Sequence, residues 1–169
     1  MRLTDKYEEL LEITPAESLG ETLKIKFENR EDSKQQAMEL YSHCMNGNYD
    51  SDPEMLADRT LVEENYHQFL LYGLVKQFEE MSHYDPNFNE TSRRIMFSNS
   101  ECISLMQLLV RDELHFHVYM RSSHLIDCLP ADLLFLTDAA YQFFHLKKMQ
   151  RDDQPLNFQI TFGSLHRKE

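Results

Sequence analysis

Residues that could do chemistry concentrate in one stretch of the chain, between positions 99 and 133. Cys102 supplies a thiol, which is a nucleophile once it is a thiolate. The run Arg121-Ser122-Ser123-His124 supplies cationic and hydroxyl groups that suit an anion such as phosphate. Asp132 follows Pro130 at the predicted start of an apolar helix, where the positive helix end favours an acid. We expect this stretch to build a site for a small charged molecule.

Two strands and a helix are predicted to position these residues. Apolar residues dominate 102–110, and apolar and polar residues alternate over 114–120, so both segments predict strands. The polar triplet 111–113 between them predicts a hairpin. Residues 131–149 are apolar nearly all round, which predicts a buried helix.

The remaining elements predict an α/β or α+β fold with a layered sheet, in a single domain over residues 1–169. Thr4 is expected to cap the first helix, and Ser33 with Gln36 is expected to form a capping box. The acidic segment 49–59, which contains Pro53, is predicted to be a turn-rich connection. The other helices are predicted over 5–13, 33–45 and 62–81, and the other strands over 22–27, 95–97 and 156–162.

Composition excludes several classes of function. The net charge of −12 disfavours binding to a nucleic-acid backbone. No apolar run is long enough for a membrane span, and the N-terminus lacks a secretory leader. Cys44, Cys102 and Cys128 lack the spacing of metal ligands, so we expect reduced thiols in the cytoplasm. Only His115 and His117 are closely spaced, so no metal site is predicted.

Several motifs resemble those of thymidylate synthases, over roughly residues 60–169. Tyr119-Met-Arg-Ser followed by Leu129-Pro-Ala-Asp132 is similar to their YxRS…LPFN signature, and Cys102 precedes Gln107 by the five residues found in that family. Phage-type deoxycytidylate (dCMP) hydroxymethylases, which share the superfamily fold, resemble the chain more closely. The other matching segments are Thr91-Ser-Arg-Arg-Ile and Gly163-Ser-Leu-His, and outside this region Glu39-Leu-Tyr is a weaker match to the family motif that supplies a catalytic Glu.

The resemblance implies a mixed β-sheet covered by helices in two layers, and a covalent mechanism. Cys102 would add to C6 of a pyrimidine and make C5 nucleophilic. Glu39 would be the proton-transfer carboxylate. Gln107 would lie near the nucleotide, and His166 would hydrogen-bond the sugar.

The resemblance also implies a homodimer with shared active sites. Arg121 and Ser122 would bind the phosphate of the nucleotide monophosphate, because a guanidinium donates two hydrogen bonds at once. Arg93 and Arg94 would reach the phosphate bound by the neighbouring subunit. The subunits would meet through a face of the sheet.

Asp132 departs from the synthase motif at the position that recognises the base. Synthases place Asn there, whose amide serves both O4 and N3–H of uracil. A carboxylate instead accepts from the amine of cytosine and faces O4 of uracil with no donor. We therefore expect C5 hydroxymethylation or methylation of dCMP, with methylenetetrahydrofolate as the one-carbon donor. Such a small enzyme would suit a phage or virus that modifies its DNA bases. The same reaction on dUMP is the alternative.

Other departures concern the folate and sugar sites of the family. His124 stands where the family has an Asp that contacts the pterin, Cys128 where it has Gly, and Lys168 where it has a sugar-contacting Tyr. The sequence ends three residues after His166, so we expect the tail that covers folate to be missing. A non-catalytic nucleotide-binding relative is therefore a second class of function.

Overall fold

The architecture is mixed α and β, with four helices and a six-stranded sheet in residues 1–167, which are the residues that the computed structural model describes. The helices and strands follow one another in this order: α1 Leu3–Ile13, β1 Glu17–Leu19, β2 Thr22–Phe27, α2 Arg30–Met45, α3 Pro53–Tyr84, β3 Met96–Ser98, β4 Ile103–Val110, β5 Leu114–His124, α4 Leu129–Leu146 and β6 Leu156–His166.

The sheet is mixed because its central pair, β5 and β6, is parallel while the other pairs are antiparallel. The strand order is β1-β6-β5-β4-β3, and β2 pairs with β6 on the same edge as β1. The carboxyl ends of β5 and β6 come together, with His124 opposite His166. In open α/β sheets, this end of parallel strands is where ligands bind.

One face of the sheet carries the core. Along β5, Leu114, Phe116 and Val118 are buried, while His115 and His117 between them are half-buried. The buried set packs with the inner sides of the helices in one apolar cluster, to which α4 contributes most of its length. The molecule therefore has two layers, and the other face of the sheet carries half-buried, largely polar side chains.

The long helix α3 corrects one sequence prediction. The segment 49–59 was expected to be a connection, but α3 begins at Pro53. The Asp52 side chain accepts hydrogen bonds from the backbone N–H of Glu54 at 3.0 Å and of Met55 at 3.3 Å. Proline in the first turn and aspartate at the cap are both favourable helix starts, and they outweigh the turn propensity of the acidic run.

The predicted caps of the first two helices are also wrong. Thr4 is buried inside α1, which begins at Leu3. Asn29 caps α2, since its side chain accepts from the Asp32 N–H at 2.8 Å. Gln36 does not close a capping box, because its side-chain oxygen accepts from the Leu3 N–H at 2.8 Å. Its contact joins α1 to α2, which a pattern within one helix cannot indicate.

Two further observations concern the cysteines and the predicted lack of a membrane span. The three cysteines are free thiols. Within residues 1–167, no helix is both long and apolar enough to cross a membrane.

Candidate functional site

A cavity of about 340 Å³ opens at the carboxyl ends of β5 and β6, between the sheet, the first turn of α4 and the N-terminal half of α3. Four of the residues predicted from sequence line it, although they come from separate elements. These are Cys102, Ser122, Asp132 and His166. The structure therefore brings together a thiol, a hydroxyl, a carboxyl and an imidazole.

Cys102 lies directly before β4 and is exposed to solvent. Its carbonyl oxygen accepts from the backbone N–H of Arg121 at 2.7 Å, so the two residues are neighbours across the sheet. The Arg121 guanidinium is exposed and donates to the carbonyl oxygen of Ser100 at 3.2 Å. A cation is thus held on the segment that leads to the thiol, outside the lining of the cavity.

The end of β5 adds hydroxyl and imidazole groups. Ser123 is only 4% exposed, and its hydroxyl has no hydrogen-bond partner although it lines the cavity. Buried hydroxyls in proteins are almost always hydrogen-bonded, so this one is poised to bind a polar ligand atom. His124 and His166 pack edge to face with ring centroids 5.3 Å apart, and both line the cavity.

Asp132 is buried in the floor of the cavity, and its Oδ1 forms a 2.8 Å hydrogen bond with Nε2 of His67. The His67 ring stacks on Phe135, at 4.6 Å between centroids and 1° between planes. Burial lowers the pKa of His67 to about 4, against the opposing influence of Glu63. The imidazole is therefore neutral at pH 7.

Glu63 completes this cluster. Its side chain is 17% exposed, and its Oε2 is buried without a hydrogen-bond partner, 3.9 Å from Nε2 of His67. Burial, followed by the charge of Asp132, raises the pKa of Glu63 to about 8. Burial raises the pKa of Asp132 to about 7, while Glu63 and Arg59 act to lower it. The pair therefore holds a proton near neutral pH, mainly on Glu63.

Within residues 1–167, this cluster is the one group of three His, Cys, Asp or Glu side chains close enough together to hold a metal ion. The ligand-type atoms of Glu63, His67 and Asp132 all lie within 4.8 Å of one another. The 2.8 Å separation between His67 and Asp132 is that of a hydrogen bond. His115 and His117 lie on the other face of the sheet and do not belong to this group.

The second thiol in the cavity differs from the first. Cys128 precedes α4, and burial raises its pKa to about 11. It is therefore a thiol at neutral pH, and Cys102 is the more accessible nucleophile of the two.

Other predicted site residues lie outside the cavity. Glu39 is on α2 and forms a 2.6 Å ion pair with Arg2, while the neighbouring Leu40 is buried. Gln107 is on the half-buried side of β4 and donates to the carbonyl oxygen of Arg93 at 2.9 Å.

The predicted phosphate ligands for a neighbouring subunit are exposed in this chain. Arg94 forms a 2.6 Å ion pair with Asp85, and Arg93 is exposed beside it. A role at the site of a second subunit stays a prediction. Lys168 lies outside the described residues.

Sequence reasoning missed the contribution of α3 to the cavity. Glu63 and His67 are four residues apart and therefore share one face of the helix. That spacing was the available signal, but the pattern is common on solvated helices. Tyr66 of the same helix also lines the cavity, and its hydroxyl accepts from the Ile103 N–H at 3.1 Å.

No family model matches the chain, and no curated protein sequence matches it. The likeness to thymidylate synthases therefore rests on the motifs quoted above alone.

Proposed function

We propose that this protein binds dCMP in the cavity and activates C5 of the cytosine for transfer of a one-carbon group. In this proposal the fold is of the thymidylate synthase type. The observation that supports it most strongly is that Cys102 and Asp132, the predicted nucleophile and base-recognition residue, line the same cavity as Ser122 and His166.

The size of the cavity suits one nucleotide. Pockets for small ligands typically occupy about 300–1,000 Å³, and this one occupies about 340 Å³. Ser122 and the unpartnered hydroxyl of Ser123 supply polar contacts at the sheet end. Arg121 precedes them on the same strand, with an exposed guanidinium that suits a phosphate at the rim.

The proposed chemistry begins at Cys102. The thiolate sulfur forms a bond to C6, and the electron pair of the C5–C6 double bond becomes available at C5. C5 then bonds to an electrophile, its original hydrogen leaves as a proton, and the S–C6 bond breaks to restore the ring. With a proton from water as the electrophile, the same sequence exchanges the hydrogen at C5 and needs no other reactant.

Asp132 gives the preference for cytosine. Its carboxylate accepts from the 4-amino group, whereas O4 of uracil would leave two buried acceptors facing each other at a cost of about 1–3 kcal/mol. Glu63, which holds a proton beside Asp132, is the acid that can exchange protons with the base. It takes the role that the family resemblance suggested for Glu39.

The described cavity is small for a folate and a nucleotide together. A volume of about 340 Å³ is at the lower end for a single small ligand. His124, at the position of the pterin-binding acid of the family, accepts from the backbone N–H of Asp127 through Nδ1 at 3.0 Å. We therefore derive no step through methylenetetrahydrofolate. The same observation favours the second candidate function, a nucleotide-binding protein without transferase activity.

The proposal includes a homodimer that meets through the uncovered face of the sheet. Half-buried side chains such as Gln107, His117 and Gln159 populate this face, which no helix of residues 1–167 covers. Sedimentation velocity would show a dimer if the proposal holds and a monomer at all concentrations if it fails.

The test of the function is release of tritium from [5-³H]dCMP in the absence of folate. The wild-type protein should release it, and Cys102→Ser should bind dCMP without releasing tritium. Cys128→Ser is the matched control and should behave as the wild type, because the thiol of Cys128 is protonated at neutral pH.

Three outcomes would change the assignment. Release by Cys102→Ser would contradict the covalent mechanism. Tight binding of dCMP without release by the wild type would favour the non-catalytic candidate. Faster release from [5-³H]dUMP would assign the synthase-type reaction instead.

A further inference from the structure

We infer that His67 is a positioning residue that fixes the Asp132 carboxylate as a hydrogen-bond acceptor and thereby makes the cavity selective for an amino-pyrimidine. The inference rests on the proposed function, since it concerns the recognition of the base. It adds a residue from α3 to which no sequence motif gave a role.

The His67 ring has little freedom to move. It is 6% exposed and lies parallel to Phe135 at 4.6 Å. Phe135 and Asp132 both belong to α4, so the residue that holds the ring and the residue that it contacts move together. The direction of the 2.8 Å bond between Nε2 and Oδ1 is thus set by the stack of the ring on Phe135.

The chemistry of the contact determines what Asp132 offers to a ligand. A neutral imidazole has one N–H, and a carboxylate only accepts, so the proton of the ring lies on Nε2 and points at Oδ1. This bond stabilises the charged form of Asp132 and leaves Oδ2 for the cavity and Glu63. An acceptor in the floor favours the 4-amino group of cytosine over O4 of uracil.

Two substitutions separate the hydrogen bond from the packing. His67→Phe keeps a ring that can stack on Phe135 but removes the donor. His67→Gln removes the ring but keeps an N–H donor near the position of Nε2. We expect His67→Phe to reduce the ratio of dCMP to dUMP affinity about tenfold or more, and His67→Gln to retain most of it.

Calorimetric titration with both nucleotides measures this ratio. A loss of affinity for both nucleotides by the same factor in His67→Phe would indicate a purely structural role and overturn the inference. So would an unchanged ratio in the folded His67→Phe protein, or equal behaviour of the two variants. If the wild type binds neither nucleotide, the proposed function itself fails.

A second measurement needs no variant and no nucleotide. The ¹⁵N chemical shifts of the His67 ring should show the neutral Nε2–H tautomer throughout pH 7.5–8.5, where the Asp132 carboxyl is mostly ionised. An Nδ1–H tautomer or an imidazolium in this range would contradict the inference. Stoichiometric binding of added Zn²⁺ that disappears in His67→Gln would also overturn it, because the three side chains would then form a metal site.

Discussion

Exchanging Asp132 for asparagine should invert the base preference of the cavity. His67 donates to Oδ1, so the Asn carbonyl oxygen is expected to take that position and to leave the amide NH₂ toward the cavity. The NH₂ group can donate to O4 of uracil, but it meets the 4-amino group of cytosine with no acceptor.

The size of the effect follows from the cost of an unpaired buried group, about 1–3 kcal/mol. At about 1.4 kcal/mol for a tenfold change, this cost corresponds to about a 5- to 150-fold change in affinity. The substitution weakens the binding of dCMP and strengthens the binding of dUMP, each by about fivefold or more, so the ratio of the two affinities should change by at least about 25-fold.

Isothermal titration of both proteins with dCMP and dUMP measures this change. The matched control is Asp138→Asn, since Asp138 is a buried acid on the same helix that bonds to Arg30 away from the cavity. The control should lose stability and keep the ratio. An unchanged ratio in Asp132→Asn would refute the assignment of this carboxyl to base recognition.

Three other predictions concern proton transfer, pH dependence and folding. Glu63→Gln should slow release of tritium from C5 at least tenfold, whereas Glu39→Gln should leave it unchanged, because only Glu63 lines the cavity. If instead Glu39→Gln slows the release and Glu63→Gln does not, Glu39 is the proton-transfer group. Because burial raises the pKa of Glu63 and Asp132 above their values in the unfolded chain, the folded protein binds more protons on these two groups. Its stability should therefore fall as the pH rises from about 6.5, above which His67 is neutral in both states, to about 8, by up to about 1.4 kcal/mol per pH unit for each proton. Urea unfolding should show a smaller slope for Glu63→Gln, and a stability that rises over this range would contradict the sign. Arg30→Met should lower the free energy of unfolding by about 3–5 kcal/mol in the same assay, since it leaves Asp138 buried without its 2.7 Å partner. The double variant Arg30→Met with Asp138→Leu should lose clearly less. Equal losses would show that the ion pair itself carries the stability.

The sheet and the helices could largely be predicted from sequence because their signals are local. Alternation over 156–162 predicted β6, which extends to His166. The polar triplet 111–113 predicted the hairpin, whose turn is closed by a bond from the Arg111 N–H to the Glu113 carbonyl oxygen. The start of α3 was missed because an acidic run with a proline is typical of both a turn and a helix start.

The candidate site was predictable only where motifs fixed residue order. Cys102, Ser122 and His166 were singled out by the resemblance of their motifs to those of thymidylate synthases, and they line one cavity. The contact of His67 with Asp132 spans 65 residues and depends on how α3 packs on α4, which no local pattern determines. The orientation of Glu39 depends on packing in the same way. The family resemblance predicted a catalytic acid there, but the packing of α2 turns the side chain toward Arg2.

The most direct test of the central claim is calorimetric titration of the wild-type protein with dCMP and dUMP under the same conditions. The two ligands carry the same phosphate and sugar, so a difference in affinity reports on the base alone. We predict tighter binding of dCMP, by about fivefold or more. Tighter binding of dUMP, or binding of neither nucleotide, would contradict it.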